Sequence, residues 1–476
     1  MRLSILAVSC IAINCFGASQ ASHGSGSSDT LSLPQIQAML DSAAIPGLSL
    51  VVIREGRVVL ERGFGVRRDG ADEPVDENTV YEAASLSKPV FALAALRLAQ
   101  RGVIDLDRPL STYLRLTDLA GDPRAERITA RMVLGHSTGL PNELPPDDRL
   151  RLAFKPGSRF RYSGEGFAYL QRVLEHVTDR ALSDLVRDEV LQPLGMTRSS
   201  FVWEERFAQN AAIGHGDGVI ARRPARRSEA RAPSSLYTTA SDYGRFLVGL
   251  IAAAKAGDET VRTMLLPQTP VDTVMAWGLG WGLERSQGAG AIIWHWGDNS
   301  NTGFTGFALG STRERYGVVW LANSASGLSI AERLVALTVP GSHPAPGWIG
   351  YERYDNPRRL AREKIDRVVI AEGVGPGLET YDSLKAQQGT AVVDERMLNA
   401  LGYRFLERGR VQQAIALFRA NVLEYPESAN VYDSLGEAYA AAGDSVLAIE
   451  NYQRSVTINP ENIHARRVLR QLRKTP

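Results

Sequence analysis

From Leu48 onward the apolar positions come in β-branched runs. "LSLVVI" (48–53), a Glu55-Gly56 turn and "RVVLERGFGV" (57–66) predict a β-hairpin. Strand-like runs return only much later, at "WGLGWGLE" (277–284), "AIIWHW" (291–296), "FTGFAL" (304–309) and "YGVVWLAN" (316–323). Between them the spacing is helical, as in "FALAALRLAQRG" and "YLQRVLEHVTDRALSDLVRDEVL". The economical reading is an antiparallel sheet built from both ends of this stretch, with a helical insertion between them.

A proline- and glycine-rich joint, "PGSHPAPGWIG" (340–350), separates off a tail of different character. Leu401, Gly402, Gly409, Ala414, Ile415 and Pro426 recur 34 positions on, at Leu435, Gly436, Gly443, Ala448, Ile449 and Pro460. Phe405 and Phe418 recur as Tyr439 and Tyr452. This periodicity resembles tetratricopeptide repeats, helix-turn-helix units whose small residues let paired helices approach. The clear units lie near 395–428 and 429–462, with a capping helix over 463–473. Residues 357–395 suit a degenerate preceding unit, because about three units are the minimum for stability.

Composition narrows the function classes. The chain has 476 residues, 44% hydrophobic and 22% charged, enough for two or three globular domains. A formal net charge of +1 gives no reason to expect a nucleic-acid partner. Residues 1–21 place Arg2 before an apolar run and end in Ser19-Gln20-Ala21, the layout of a secretory signal peptide. Cys10 and Cys15 both fall in that segment, so the mature chain would be cysteine-free, as suits a periplasmic or secreted protein. No membrane span is expected after cleavage.

Two serines compete for the role of nucleophile. "GHSTG" (135–139) has the G-x-S-x-G spacing of a hydrolase elbow, which needs a strand before Ser137 and a helix directly after it. Pro141, Pro145 and Pro146 forbid that helix, and "ITARMVL" ahead of it has helical spacing. Ser137 therefore reads as part of a structural turn. Ser85 opens "SLSKPVFALAALRLAQRG", a helix whose serines suit capping, whose Pro89 is tolerable only near the start, and whose Gly102 suits its stop. Positions i and i+3 share a helix face, so Lys88 falls beside the Ser85 hydroxyl. There it could stabilise an alkoxide or, when neutral, take the proton.

Ser85-Leu86-Ser87-Lys88, then Tyr162-Ser163 before a helix, then His295-Trp296-Gly297 at a strand end, occur in an order that resembles the penicillin-recognising serine hydrolases. That superfamily includes class C β-lactamases, D,D-carboxypeptidases, D-aminopeptidases and esterases. "MVLGHSTGLP" and "SSLYTTASDYGRFL" extend the resemblance to about residues 32–338. It implies an α+β fold: a β-lactamase/transpeptidase-like antiparallel sheet with a helical insertion, followed here by an all-α tetratricopeptide-repeat domain. The expected divisions are 30–339 for the hydrolase, 340–356 for a linker and 357–476 for the repeats.

By the same resemblance Ser85 would be the acylated nucleophile, Lys88 its partner and Tyr162 the proton-exchanging phenol. His295 and Gly297 would line the substrate edge, and the backbone N–H groups of Ser85 and Asp298 would form the oxyanion hole. Gly164 departs from the pattern, standing where relatives commonly carry an asparagine whose amide binds an acylamide group. On this reading Gly164→Asn should be tolerated and should modestly improve acylamide turnover. Glu165 is an alternative source of that contact.

The expected activity is hydrolysis of an ester, amide or D-amino-acid peptide through an acyl-enzyme, with a protein or peptide partner docked on the repeats. The alternative is a catalytically weak penicillin- or peptidoglycan-binding sensor. No histidine pair has metal-ligand spacing, so neither metal nor cofactor is expected. Gly278 to Gly282 reads as strand packing, and the Arg222–Arg231 loop as a solvated face. The repeats should be separable from the chemistry, with a chain ending near Pro340 keeping activity on a small ester.

Overall fold

The structure is a computed structural model that describes residues 32–119, 121–145, 147–216, 219–285 and 291–472. The expected signal segment, with Cys10 and Cys15, lies outside the described residues.

The chain enters through α1 (Leu33–Ser42) and the hairpin of β1 (Gly47–Arg54) and β2 (Arg57–Gly65). A largely helical stretch follows: β3 (Tyr81–Glu82), α2 (Ser87–Gln100), α3 (Ala130–Leu134), α4 (Gly164–Thr178) and α5 (Leu182–Val186). It continues through the short strands β4 (His215–Gly216), β5 (Ile220–Ala221) and β6 (Tyr237–Thr238) to α6 (Ala240–Ala256) and α7 (Glu259–Met264). Six strands then complete the sheet. They are β7 (Thr269–Pro270), β8 (Met275–Trp277), β9 (Gly282–Glu284), β10 (Ile292–Asn299), β11 (Phe304–Ser311) and β12 (Tyr316–Ala322).

The sheet is antiparallel throughout, in the order β2-β1-β12-β11-β10-β9-β8-β7. The N-terminal hairpin thus docks against the last strand, pairing Leu48 with Ala322 and Ile53 with Gly317. Burial explains the sequence pattern. β11 and β12 are buried along their whole length, and β1 over all but its last residue, so they read as continuous apolar runs. Edge strand β2 is exposed over most of its length and buries only Phe64.

One face of the sheet carries α1 and α8 (Ala331–Thr338), and the other carries the helical stretch. At the centre of that stretch α2 is apolar almost all round and buried from Ser87 to Leu96, as a helix inside a core must be. α6 lies directly on the sheet, where a Cβ on Gly244 would come within 2.8 Å of Val51 Cγ1.

Two expectations about the strands and helices change. "WGLGWGLE" is not one strand but a hairpin, β8 and β9 joined by a tight turn in which Gly280 adopts φ 92°. A Cβ at Gly280 would meet Ala92 of α2 at 2.4 Å, so the turn must be bare to reach the central helix. The long helical run after Tyr169 breaks at Asp179, whose φ of 51° ends α4 before α5 begins.

The tail is all-helical: α9 (Ala345–Trp348), α10 (Pro357–Glu372), α11 (Val374–Gln388), α12 (Glu395–Glu407), α13 (Val411–Glu424), α14 (Ala429–Ala441), α15 (Ser445–Ile458) and α16 (Ile463–Leu472). Gly402 lets α12 meet Phe418 of α13, where a Cβ would lie 2.4 Å from the ring. Gly436 plays the same part toward Tyr452, 34 residues on.

The joint is not a free tether. His343 and Glu284, both buried, pair at 2.9 Å, and the second Glu284 oxygen accepts from the Ala345 N–H at 3.0 Å. Trp348 donates to Asp272 at 2.8 Å and packs its ring 5.3 Å from that of Trp294. A cut at the expected boundary near Pro340 would leave Glu284 in the core without these partners. Truncation after Asp355 is expected to give a folded chain, whereas truncation after Pro340 should lose ~3–5 kcal/mol, as when one member of a buried pair is removed. Urea denaturation of the two truncations checks this, and equal midpoints would overturn it.

Candidate active site

Ser85 lies in a 3-10 turn, Ala84–Leu86, that leads into α2. The turn is strained: Ala84 holds φ 49°, a left-handed conformation that costs a non-glycine residue on the order of 1–3 kcal/mol. The serines do not cap α2, whose N-cap is Leu86 without a side-chain bond. Ser87 instead donates its hydroxyl to the Ala84 carbonyl and accepts from the Leu236 N–H at 2.9 Å, tying the strained turn to the residue just before β6.

Lys88, the second residue of α2, is 1% exposed. Its ammonium donates to Ser85 Oγ at 2.9 Å and to the Pro233 carbonyl at 3.0 Å. Tyr162 lies over it, with Nζ 4.7 Å from the ring centroid. Burial pulls the Lys88 ammonium down to about 7, and the Glu143 carboxylate draws it partly back up. Near neutral pH the amine is therefore poised between donor and base.

Tyr162 precedes α4, whose N-cap is Ser163, with Oγ accepting from the Gly166 N–H at 2.9 Å. The phenol stacks on His136 at 4.3 Å and against Trp296 at 4.9 Å. Its buried hydroxyl has no partner in good hydrogen-bond geometry. Burial pushes the phenol above its ordinary range, and the Ser85 hydroxyl eases that shift.

His136, within the "MVLGHSTGLP" stretch, holds this corner together. Its Nδ1 accepts from the Ser163 N–H at 3.0 Å, and its carbonyl accepts from the Arg161 N–H at 2.7 Å. Its neighbour Ser137 is in a turn after α3, buried, with its N–H on the Met132 carbonyl at 2.8 Å. No strand precedes Ser137 and no helix follows it directly, so the elbow is ruled out by its surroundings.

β10 borders Ser85. A Cβ at Gly297 would lie 2.3 Å from the Ala83 carbonyl oxygen, so only glycine lets the strand press against the nucleophile's turn. β9 pairs with β10 only from Ile292 to Trp294, which leaves the following residues unpaired on that side. Asp298, next in line, has one carboxylate oxygen on the Ser300 N–H at 2.7 Å and the other on the Tyr351 hydroxyl.

His295 lies on the same face of β10 as Gly297. It is 0% exposed, and its ring centroid lies 6.0 Å from that of Tyr162. Its Nδ1 lies 2.8 Å from the Trp296 carbonyl, which can only accept, so Nδ1 carries the proton and Nε2 is bare. Burial, then the Lys88 charge, pull His295 down to about 3 against the carbonyl's opposing pull, and the ring is neutral at any working pH. Trp296, half-buried, packs its ring closer to Tyr162, at 4.9 Å.

The Beta-lactamase family matches residues 35–338 of the chain. Among individual relatives, Protein flp of Staphylococcus aureus (strain MRSA252) is 24% identical over 307 residues, covering 60% of each chain. The chain thus spans about 60% of the length of those first relatives. Esterase EstB of Burkholderia gladioli is 28% identical over 355 residues, covering 62% of this chain and 88% of its own. A class C beta-lactamase structure superposes with a TM-score of 0.56 at 20% identity, over 65% of this chain and 95% of its own.

Gly164 proves unable to take the side chain that it lacks. Its φ is outside the left-handed region, but a Cβ there would lie 2.4 Å from the Asn142 carbonyl oxygen and 3.3 Å from Asn142 Oδ1. That backbone is pinned in turn, since the Pro141 carbonyl accepts from Ser163 Oγ at 2.9 Å and from the Glu165 N–H at 3.3 Å. The expected tolerance of Gly164→Asn is therefore withdrawn. The variant should lose ~1–3 kcal/mol of stability through overpacking and should not gain acylamide turnover. A melting curve that matches the wild type would show that the loop yields.

Proposed function

The chain belongs to the beta-lactamase family of serine hydrolases, and on that premise we propose that it cleaves uncharged carboxylic esters through an acyl-enzyme on Ser85. The 2.9 Å contact between Lys88 and Ser85, inside a site dry enough to bring the amine to about 7, carries the reading.

The neutral fraction of Lys88 takes the Ser85 proton as Oγ attacks the substrate carbonyl. Charge then develops on the carbonyl oxygen, which the backbone N–H groups of Ser85 and Asp298 receive. Collapse expels the alkoxide, and the Tyr162 hydroxyl, whose pKa is held high, hands it a proton and recovers one from Lys88. Water then enters, gives its proton back along the same relay, and releases the acid from Ser85.

The preference for an uncharged substrate rests on His295. A neutral, buried ring on the strand beside the nucleophile offers no positive charge to a substrate carboxylate. Lys88 is already committed to Ser85 and Pro233. Trp296 adds an apolar wall. Similarity to a protein named an esterase points the same way. We further propose that residues 1–21 direct export and that the repeats dock a peptide partner. Among the described residues, no helix is long and apolar enough to cross a membrane.

Two measurements test the reading. Intact mass should rise on treatment with a fluorophosphonate, and Ser85→Ala should remove both that adduct and hydrolysis of an activated ester. The free mass should return after an ester pulse, which a mere trap would not do. On the intact chain, kcat/KM for the ester should exceed that for a cephalosporin or a D-alanyl-D-alanine peptide by about 100-fold or more. Comparable rates on the anionic substrates would sink the assignment to esters.

The pH dependence has a definite sign. Activity on the ester should climb as Lys88 loses its proton, with an acid limb near its value of about 7. Glu143 favours the charged amine, so Glu143→Gln should move that limb to lower pH, more so at low ionic strength. An unmoved or alkaline-shifted limb would separate Glu143 from Lys88.

A further inference from the structure

Asp298 poses an electrostatic problem for the reaction just described, on which this inference rests. Its backbone N–H is assigned to the developing oxyanion, yet its own side chain is a carboxylate. An unscreened negative charge a few ångströms from a second one costs several kcal/mol at the effective dielectric of a protein site. Something must hold that charge elsewhere.

Strand alternation gives the first part of the answer. On β10, His295 and Gly297 share one face, and the Gly297 face is the one against Ala83. Trp296 and Asp298 share the other. The second part comes from the joint. Tyr351, half-buried, reaches back and donates its hydroxyl to one oxygen of Asp298, while the Ser300 N–H at 2.7 Å takes the other. Trp348, three residues earlier in the chain, packs its ring 6.3 Å from that of Trp296 on the same stretch of strand.

The residue after Tyr351 is anchored in the opposite direction. Glu352 accepts from Arg362 of α10 at 2.7 Å, and its carbonyl accepts from Arg359 at 3.4 Å. Arg359 in turn donates to Ser326, just beyond β12, at 3.1 Å. Two adjacent residues thus bridge the active-site strand and the first helix of the tail.

We propose that Tyr351 is a positioning residue: its hydroxyl holds the Asp298 carboxylate off the reacting centre and fixes the Asp298 backbone N–H for the oxyanion. The other titratable groups facing it are Tyr162, whose phenol is neutral when Lys88 is the base, and Asp298 itself. The joint is then part of the catalytic architecture, and anything that bends α10 relative to the sheet acts on turnover through Tyr351.

The test is a double-mutant cycle on the full chain with one activated ester. Tyr351→Phe should lower kcat by about 10-fold or more, with KM within about 2-fold, because the hydroxyl acts on the transition state rather than on binding. In the Asp298→Asn background, whatever its own rate, adding Tyr351→Phe should cost less than about 3-fold, since no charge is left to hold. Equal losses in the two backgrounds, or a rise in KM alone, would overturn the proposal. If Tyr351→Phe does not fold, an Asp298→Asn/Tyr351→Phe chain that does fold, with kcat within about 3-fold of Asp298→Asn, supports the proposal because removing the charge removes the need for the hydroxyl; a larger loss overturns it, and a double variant that also fails to fold assigns Tyr351 a structural role only. Fluorophosphonate labelling of wild type separates the two readings. No label removes the hydrolase assignment, whereas labelling with wild-type kcat in Tyr351→Phe removes only the positioning role.

Discussion

The structure turns on one costly act, the burial of the Lys88 amine against Ser85. A lysine that is 1% exposed has lost nearly all its water, and its two partners are a hydroxyl and a carbonyl rather than a carboxylate. A counter-ion in contact would have kept it permanently protonated and useless as a base. Glu143 is near enough to be felt and too far to neutralise it. The rings of Tyr162 and Phe167 at 4.7 Å and 5.8 Å take some of the charge when it is present.

Keeping water from that amine demands a particular fold around it. α2 must run through the middle of the core, so it is apolar almost all round and closed off by bare turns such as Gly280. The sheet must then approach the helix start without a side chain between them, which is the role of Gly297. Strain at Ala84 is the visible residue of this packing, held in place by Ser87 through the Leu236 N–H just before β6. Closing the sheet between the two ends of the domain, β1 on β12, locks the strands that carry these contacts.

Much of this was legible in the sequence because it rests on short-range rules. The i, i+3 spacing of Ser85 and Lys88 and the prolines after Ser137 decided between the two serines. The 34-residue recurrence located the helix pairs of the tail. What was not legible depends on contacts distant in sequence. Alternating Gly and Trp at 277–284 suits a strand or a hairpin equally, and only Ala92 shows which. Nothing near Gly164 announces the Asn142 carbonyl. His295 matches the motif by position, but its burial depends on rings from two other segments, Tyr162 and the β8–β9 hairpin with Trp277 and Trp281. The joint looked like a linker because its prolines and glycines mark irregular backbone, and irregular backbone can still be tightly packed.

Lysine burial also links stability to the chemistry. The unfolded chain holds the Lys88 proton up to its ordinary value of 10.5, whereas the folded chain releases it near 7. Below pH 7 both states carry the proton and the folded state bears the whole cost, a gap that corresponds to ~5 kcal/mol. Between 7 and 10.5 the unfolded state binds more protons, so stability contributed at this position rises with pH. The same deprotonation that relieves the fold generates the base. Activity and the local relief of strain therefore rise together, and the domain must draw the missing stability at acid pH from its cores and from the joint that closes over Glu284.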